Sequence, residues 1–172
     1  MSTQTKSLST KQLVYGGVFV ALCIVMGFQN IYLPPNGSRI TFRFIPILFA
    51  SVFMGPVMGS LIAFMADILT YFLTPGSPGA FFPGFTVTAM IIGVFPAYVI
   101  RGVKDVKLLN IVIITVLLFL VNWLLDSYWL SIMVGKAYKY YIAVRAYPQA
   151  VQSLIGGAVL FYLLKRFDKF MR

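Results

Sequence analysis

Residues 108–130 read LLNIVIITVLLFLVNWLLDSYWL, and Asp126 is the only charged residue among them. Apolar side chains would occupy every face of a helix over this run, rather than a single stripe. Lipid can solvate such a helix, because none of its faces needs water. A bilayer core of roughly 30 Å is crossed by about 20 helical residues, so the run predicts a membrane-spanning helix.

The rest of the chain repeats this pattern. Hydrophobic residues make up 60% and charged residues 10% of the 172 residues, and the mean hydropathy is +0.90. Clusters of Pro and Gly separate the apolar runs and indicate turns between them. We therefore predict an all-α integral membrane protein, a compact bundle of six transmembrane helices that forms one membrane-embedded domain over residues 1–172. The predicted spans are about Leu13–Tyr32, Phe42–Met54, Val57–Leu73, Pro83–Ile100, Leu108–Leu130 and Pro148–Leu164.

The basic residues lie at the ends of the apolar runs, as topology signals do. If both termini are cytoplasmic (N-in/C-in), the inner set is Lys6, Lys11, Arg101, Lys104, Lys107, Lys165, Arg166, Lys169 and Arg172. The outer set is then Arg39, Arg43, Lys136, Lys139 and Arg145. The larger inner set favours this orientation. Topology does not explain the outer set, which is therefore a set of candidate functional residues. The alternative is that these side chains extend to the outer headgroups, which suits Lys136 and Lys139 at least as well.

Several kinds of chemistry are missing from the sequence. It contains no histidine, no glutamate, one cysteine (Cys23) and no G-x-x-x-x-G-K-[ST] loop. The four acidic residues are Asp67, Asp105, Asp126 and Asp168, and they are scattered along the chain. An acid/base pair, a metal site, a cofactor and ATP hydrolysis by this chain are therefore not expected. The net charge of +10 follows the topology signals, so no nucleic-acid partner is expected either.

Asp67 lies in the middle of the third predicted span. A charged side chain at that depth costs roughly 2.5–3.5 kcal/mol on insertion scales, so it normally faces protein or water. One interpretation is a structural salt bridge with Arg39 or Arg43. The other is a carboxylate that accepts hydrogen bonds from a polar ring of a substrate.

The fifth and sixth predicted spans carry polar residues at helical spacing. Asn122 and Asp126 are four residues apart and share one face, which indicates either an internal cavity or hydrogen bonding between helices. Arg145, Gln149 and Gln152 cluster at the start of the sixth span. A glutamine amide suits heteroaromatic rings, and an arginine suits a carboxylate. These side chains are candidates for ligand binding, provided that Arg145 faces inward.

Aromatic residues follow a loop rich in Gly and Pro, in the run Phe81-Phe82-Pro83-Gly84-Phe85-Thr86. They can form an interfacial belt. They can also line a lid over a flat ligand, with the preceding loop as a gate.

Gly17 and Ala21 form a small-xxx-small pair on the first predicted span. This spacing lets two membrane helices approach closely. The pattern occurs by chance in many membrane helices, so it indicates a docking face only together with other observations.

In their order along the chain, these features resemble the substrate-binding S components of energy-coupling factor (ECF) vitamin transporters, and in particular the folate-specific branch. The resemblance covers nearly the whole chain. The segments that carry it are Leu33-Pro34-Pro35 with Arg39 and Phe44-Ile45-Pro46, residues 54–59 with Ala66-Asp67, Phe82-Pro83-Gly84-Phe85-Thr86, and the region from Asn122 to Ser131 followed by Gly135-Lys136, Arg145 and Pro148. One departure is Asp126-Ser127-Tyr128-Trp129, where Asn-Thr is expected before Leu-Trp, so an acceptor-only carboxylate replaces an amide.

The resemblance implies a subunit that binds folate or a related vitamer from outside. It implies docking on a membrane coupling protein that carries two ATPase subunits, and toppling in the lipid bilayer to release the ligand inward. Gly17 and Ala21 correspond to the docking face. The implied ligand-binding residues are Arg39, Arg43, Asp67, Phe82, Asn122, Asp126, Trp129, Arg145, Gln149 and Gln152. The alternative within this class is an S component for another anionic vitamin, such as pantothenate.

Three other classes of protein are weighed against this one. A membrane enzyme needs a nucleophile or a paired acid and base, which the sequence does not offer. A channel more usually has a pore-lining repeat, and none is visible. An assembly factor that only pairs helices would lose stability, but no ligand affinity, when Arg145 is changed to Ala.

Overall fold

The computed structural model describes residues 9–33, 38–73, 81–101 and 108–171. Within these ranges the chain forms six α-helices and one antiparallel hairpin of two short strands. In chain order they are α1 (Thr10–Phe28), β1 (Asn30–Leu33), β2 (Ser38–Thr41), α2 (Phe44–Met54), α3 (Pro56–Leu73), α4 (Pro83–Arg101), α5 (Leu108–Val134) and α6 (Tyr138–Met171). The predicted six-helix architecture is confirmed.

Helices α1, α3, α4 and α5 are each long and apolar enough to cross a membrane. The shorter α2 is also apolar, with 11 residues. Helix α6 has 34 residues, or about 51 Å at 1.5 Å per residue, which exceeds the hydrocarbon thickness of a bilayer.

The first predicted span was placed too far along the chain. Helix α1 ends at Phe28, and Gln29 has an extended backbone. Residues 30–33 then pair with residues 38–41, with Leu33 opposite Ser38. Hydrophobicity alone does not separate a helix end from an apolar strand, and Ile31, Tyr32 and Ile40 are strand-forming residues. The predicted turn at residues 34–37 lies outside the described residues.

The predicted start of the sixth span at Pro148 is wrong. Helix α5 continues to Val134, and α6 already begins at Tyr138, so Pro148 lies inside a helix. The break between them is Gly135, whose φ of 74° is left-handed and whose N–H donates to the Ser131 carbonyl at 3.0 Å. Glycine adopts this conformation without steric cost and ends helices in this way. Residues 138–147 contain Lys139, Arg145 and four tyrosines, and this mixed composition conceals the first part of the helix.

Helix α4 lies between α3 and α5 and also packs against α2. Its closest approach is to α3, where Gly59 and Gly93 bring the two backbones together. A Cβ added at Gly93 would lie 2.5 Å from the Gly59 carbonyl oxygen and 2.8 Å from its carbon. Lipid is as apolar as the helix surfaces, so the hydrophobic effect does not drive membrane helices together. Close backbone contacts of this kind stabilise the bundle by van der Waals packing instead.

A second contact fixes α4 against α2. Pro96 lies inside α4 and disturbs its hydrogen-bond ladder. The Ala97 N–H donates instead to the buried Ser51 hydroxyl of α2, at 3.1 Å. A serine side chain thus satisfies a backbone group in a place where lipid offers no partner.

Gly93→Ala is expected to destabilise the protein by about 1–3 kcal/mol, because the added methyl group meets backbone that cannot move aside. Gly16→Ala is the control, since a Cβ there would make ordinary contacts with side chains, 3.5 Å from Met58 and 3.9 Å from Ile62. The midpoint of thermal denaturation in detergent measures the difference. Equal midpoints for the two variants would contradict the close α3–α4 packing.

Candidate functional site

Helices α5 and α6 face each other with two matching polar stripes. On α5 the stripe is Asn122, Asp126 and Trp129. On α6, Arg145 and Gln149 are four residues apart, so they share one face. The two stripes meet where the Arg145 Nη2 atom bonds to the Asp126 Oδ2 atom at 3.0 Å. The two side chains are 22% and 15% exposed, so Arg145 points into the protein, as ligand binding requires.

A small cavity lies farther along the same two stripes. It is lined by Phe44, Ile92, Leu118, Asn122, Gln149, Gln152, Ser153 and Gly156. Three of these were predicted as site residues: Asn122, Gln149 and Gln152. Gln149 is only 5% exposed, and the Asn122 amide donates to the Leu118 carbonyl at 2.8 Å. The free space, about 20 Å³, holds a water-sized group, so a larger ligand requires the side chains to move apart.

A second ion pair lies on the α2–α3 side of the bundle. Arg43, just before α2, places its Nη1 atom 2.7 Å from the Asp67 Oδ1 atom. The Thr86 hydroxyl of α4 donates to the other carboxylate oxygen, also at 2.7 Å. Of the two partners considered for Asp67, the structure therefore assigns Arg43. Arg43 thus neutralises a carboxylate whose side chain is 9% exposed, and each of its oxygens has one partner.

Helix α4 brings the two ion pairs together. Thr86 and Thr88 are two residues apart, so they point to different sides of the helix. Thr86 bonds to Asp67, whereas the Thr88 hydroxyl lies beside Asp126. Asp126 also interacts electrostatically with Arg43 and Asp67 in addition to Arg145. We call these four charges the charged layer: Arg43 just before α2, Asp67 on α3, Asp126 on α5 and Arg145 on α6.

Aromatic rings lie next to this charged layer. The Trp129 indole N–H donates to the Thr88 hydroxyl at 3.1 Å, and its ring centroid lies 5.8 Å from that of Phe82. Gly84 lies directly against both rings, and any side chain there would collide with Trp129. The predicted aromatic residues Phe82 and Trp129 therefore flank the same site as the two ion pairs.

Three predictions fall elsewhere. Arg39 pairs with Tyr32 through the backbone of the hairpin, and its side chain lies outside the described residues. The loop of residues 74–80, predicted as a gate, also lies outside them. Gly17 and Ala21 are exposed on α1, away from the charged layer, and a Cβ at Gly17 would meet nothing within 4 Å.

Sequence reasoning missed Thr88, Ser153 and Gly156. Ser153 follows Gln149 by four residues, and Gly156 follows Gln152 by four, so continuing the helical spacing would have found both. For Thr88 no comparable signal exists, because its partner Trp129 is 41 residues away in the sequence.

The site offers carboxylates and amides, guanidinium donors and flat aromatic faces. No group of three or more His, Cys, Asp or Glu side chains that could hold a metal ion occurs among the described residues. Such an arrangement suits reversible binding of a flat polar molecule.

Arg43→Gln is expected to cost about 3–5 kcal/mol of stability, because it leaves the buried Asp67 carboxylate without a counter-charge. Adding Asp67→Asn to this variant is expected to restore most of the loss. Thermal denaturation in detergent of both single variants and the double variant measures the coupling. If the double variant is no more stable than Arg43→Gln, the loss of stability is not caused by the unpaired charge of Asp67. Lys11→Gln, at an exposed lysine of α1, is the control.

Comparison with known proteins places this chain in a family. The family model for the ECF transporter substrate-specific component matches residues 11–166. The chain is 34% identical over 162 residues to the folate transporter FolT of Clostridium novyi (strain NT), covering 91% of this chain and 90% of that protein.

Solved structures agree with this placement. A crystal structure of FolT bound with folic acid superposes with a TM-score of 0.79 at 25% identity, covering 92% of this chain and 95% of that one. The S component for biotin from an ECF-type ABC transporter has the same fold, with a TM-score of 0.69 at 16% identity over 96% of this chain and 95% of that one. The chain is therefore a multi-pass membrane transport protein that belongs to the substrate-specific components of ECF transporters.

Proposed function

We propose that this chain captures folate or a related vitamer from outside the cell as the substrate-binding S subunit of an ECF-type ABC importer. The observation that carries the proposal is the layer formed by Asp67–Arg43 and Asp126–Arg145, flanked by Phe82 and Trp129. The similarity of the chain to FolT of C. novyi and to the structure of FolT bound with folic acid supports folate as the ligand.

The chemistry of folate fits these side chains. The ligand has a flat heteroaromatic ring with donors and acceptors on its edge, and a glutamate tail with two carboxylates. Asp67 and Asp126 can accept hydrogen bonds from ring donors, and Asn122, Gln149 and Gln152 can serve both donors and acceptors. Arg43 and Arg145 suit the carboxylates. Phe82 and Trp129 can bury the faces of the ring.

Pantothenate fits the site less well. It offers a carboxylate to an arginine, but it has no flat ring to lie between Phe82 and Trp129. Two relatives of this chain, at 34% and 27% identity, are folate transporters. Folate is therefore the ligand that we infer.

We infer the orientation of the protein in the membrane from the position of the site together with the distribution of Lys and Arg. The C-terminal ends of α1, α3 and α5 and the N-terminal ends of α2, α4 and α6 form one end of the bundle, and the charged layer lies toward it. With N-in/C-in topology, which the distribution of Lys and Arg favours, this end faces outward. The ligand would then enter from outside, while apolar helix surfaces contact membrane lipid.

We propose that ATP hydrolysis by partner subunits supplies the energy for transport, since this sequence has no phosphate-binding loop of its own. We propose a membrane coupling protein with two ATPase subunits as the partner, docked on α1 around Gly17 and Ala21. Both residues are exposed, and their small size lets another helix approach closely.

Folate titration tests the ligand. Trp129 lies at the site, whereas Trp123 donates its indole N–H to the Ile142 carbonyl at 2.8 Å and stacks on Phe119. Folate is expected to quench tryptophan fluorescence in the wild type and in Trp123→Phe, and much less in Trp129→Phe. No fluorescence change and no heat in calorimetry would exclude folate as the ligand.

Arg145→Ala is expected to weaken folate binding about 10- to 100-fold, because a charged hydrogen bond contributes about 1.5–3 kcal/mol. The double variant Asp126→Asn with Arg145→Gln is the control for folding. It removes both charges of the pair and leaves no charge unpaired, so a loss of affinity in the folded double variant is not caused by misfolding. Calorimetric titration of both variants gives the affinities. If the folded double variant binds folate as tightly as the wild type, Arg145 does not contact the ligand.

Gly17→Leu with Ala21→Leu is expected to abolish co-purification with the coupling protein and ATPase subunits, because the bulky side chains keep the partner helix away. Folate affinity should be unchanged. Val18→Leu, at an exposed position on a neighbouring face of α1, is the control. Intact complex formation by the Gly17/Ala21 variant would place docking on another surface.

A further inference from the structure

Positive charge is distributed unevenly near the site. Arg43 and Arg145, whose side chains are described, are each compensated by an aspartate, Arg43 by Asp67 and Arg145 by Asp126. The chain has only four acidic residues, so two remain for all other cations. Asp168 follows Lys139 by 29 residues on α6, or about 43 Å along the helix. Asp67 and Asp126 are the acidic residues whose side chains the structure describes, and both are already paired with arginines.

Lys136 and Lys139 lie at that connection, and both are exposed. We define them as the corner lysines. Asp126 lies eight residues before the end of α5, and Arg145 six residues after Lys139. These separations correspond to about 12 Å and 9 Å along the helices, close to the Debye length of about 8–10 Å at physiological salt. Neither corner lysine forms a salt bridge with a described side chain, so the two add a positive potential above a neutral charged layer.

Aromatic contacts hold this corner in place. The Lys136 Nζ atom lies 5.1 Å from the centroid of the Tyr140 ring. The Tyr138 hydroxyl donates to the Leu124 carbonyl at 3.4 Å, and its ring meets that of Tyr128 edge-on at 6.2 Å. A cation over an aromatic face keeps its charge while its position is restricted. The charge of Lys136 is thus held at the end of the bundle toward which the charged layer lies.

We propose that the corner lysines steer carboxylate-bearing ligands toward the site by long-range attraction, without contacting the ligand once it is bound. The inference rests on the proposed function, since it requires an anionic ligand that enters at this end. Fields of this kind raise association rates and are screened by salt. They change the association rate constant far more than the dissociation rate constant.

The test is stopped-flow tryptophan fluorescence of the full chain with folate, in an uncharged detergent, over a range of ionic strength. Lys136→Gln with Lys139→Gln is expected to lower the association rate constant about three- to tenfold at low salt. The dissociation rate constant should stay within twofold of the wild type, and the difference in association should vanish at high salt. A folate analogue whose tail carboxylates are amides should associate equally fast with both proteins.

Lys11→Gln with Lys165→Gln is the matched control. It removes the same charge at the opposite end of the bundle, and the Lys165 Nζ atom also lies over an aromatic ring, 5.9 Å from the centroid of Phe161. An equal fall in association in this control would overturn the proposal, because the effect would then be one of net charge. Unchanged association in the corner variant, or a faster dissociation, would overturn it too.

The detergent separates ligand steering from lipid binding. Lys136 and Lys139 could also bind phosphate headgroups, but no headgroups are present in an uncharged detergent. A salt-dependent loss of association that appears only in phospholipid nanodiscs would assign the lysines to lipid and overturn the proposal. A wild type that does not bind folate would overturn the proposed function itself, whereas a wild type that binds folate with no effect of the corner lysines overturns the steering alone.

Discussion

An ionised carboxylate inside a lipid-solvated bundle must have a partner, and this requirement organises the protein. Asp67 on α3 is paired with Arg43, just before α2, and Asp126 on α5 is paired with Arg145 on α6. The two pairs thereby connect the start of α2 to α3 and α5 to α6, and the threonines of α4 join them. The charged layer ties the helices together, and in the proposed function the same donors and acceptors also serve the ligand.

The position of α4 depends on contacts that need small or polar residues. Gly59 and Gly93 allow its backbone to lie against α3, and the Ser51 hydroxyl satisfies the N–H that Pro96 disturbs. With α4 fixed in this way, Thr86 faces Asp67 and Thr88 faces Asp126 and Trp129. Packing deeper in the bundle thus determines the geometry of the site.

The site and its surroundings carry charge differently. Inside, Arg43 and Arg145 are each neutralised by an aspartate, so a carboxylate of the proposed ligand would compete with an internal one for the guanidinium group. At the α5–α6 connection, Lys136 and Lys139 form no salt bridge with an acidic side chain that the structure describes. A neutral interior with a cationic edge suits the attraction of an anion, and it limits the electrostatic penalty of an empty site in a low-dielectric environment.

The sequence by itself determined the membrane environment, the number of helices and most of the polar residues of the site, because hydrophobicity and helical spacing are local properties. The stripe of Asn122 and Asp126 and that of Arg145 and Gln149 could be read in this way. Only the tertiary structure decided that Arg43 pairs with Asp67, that Arg145 faces Asp126, and that Thr88 contacts Trp129, since these partners are 19 to 41 residues apart. The hairpin after α1 and the early start of α6 also escaped the sequence, because apolar strands and polar helices at a membrane surface have no distinctive hydropathy. The pairing of charges depends on which helices become neighbours, and this is settled by packing at glycine contacts far from the charges themselves.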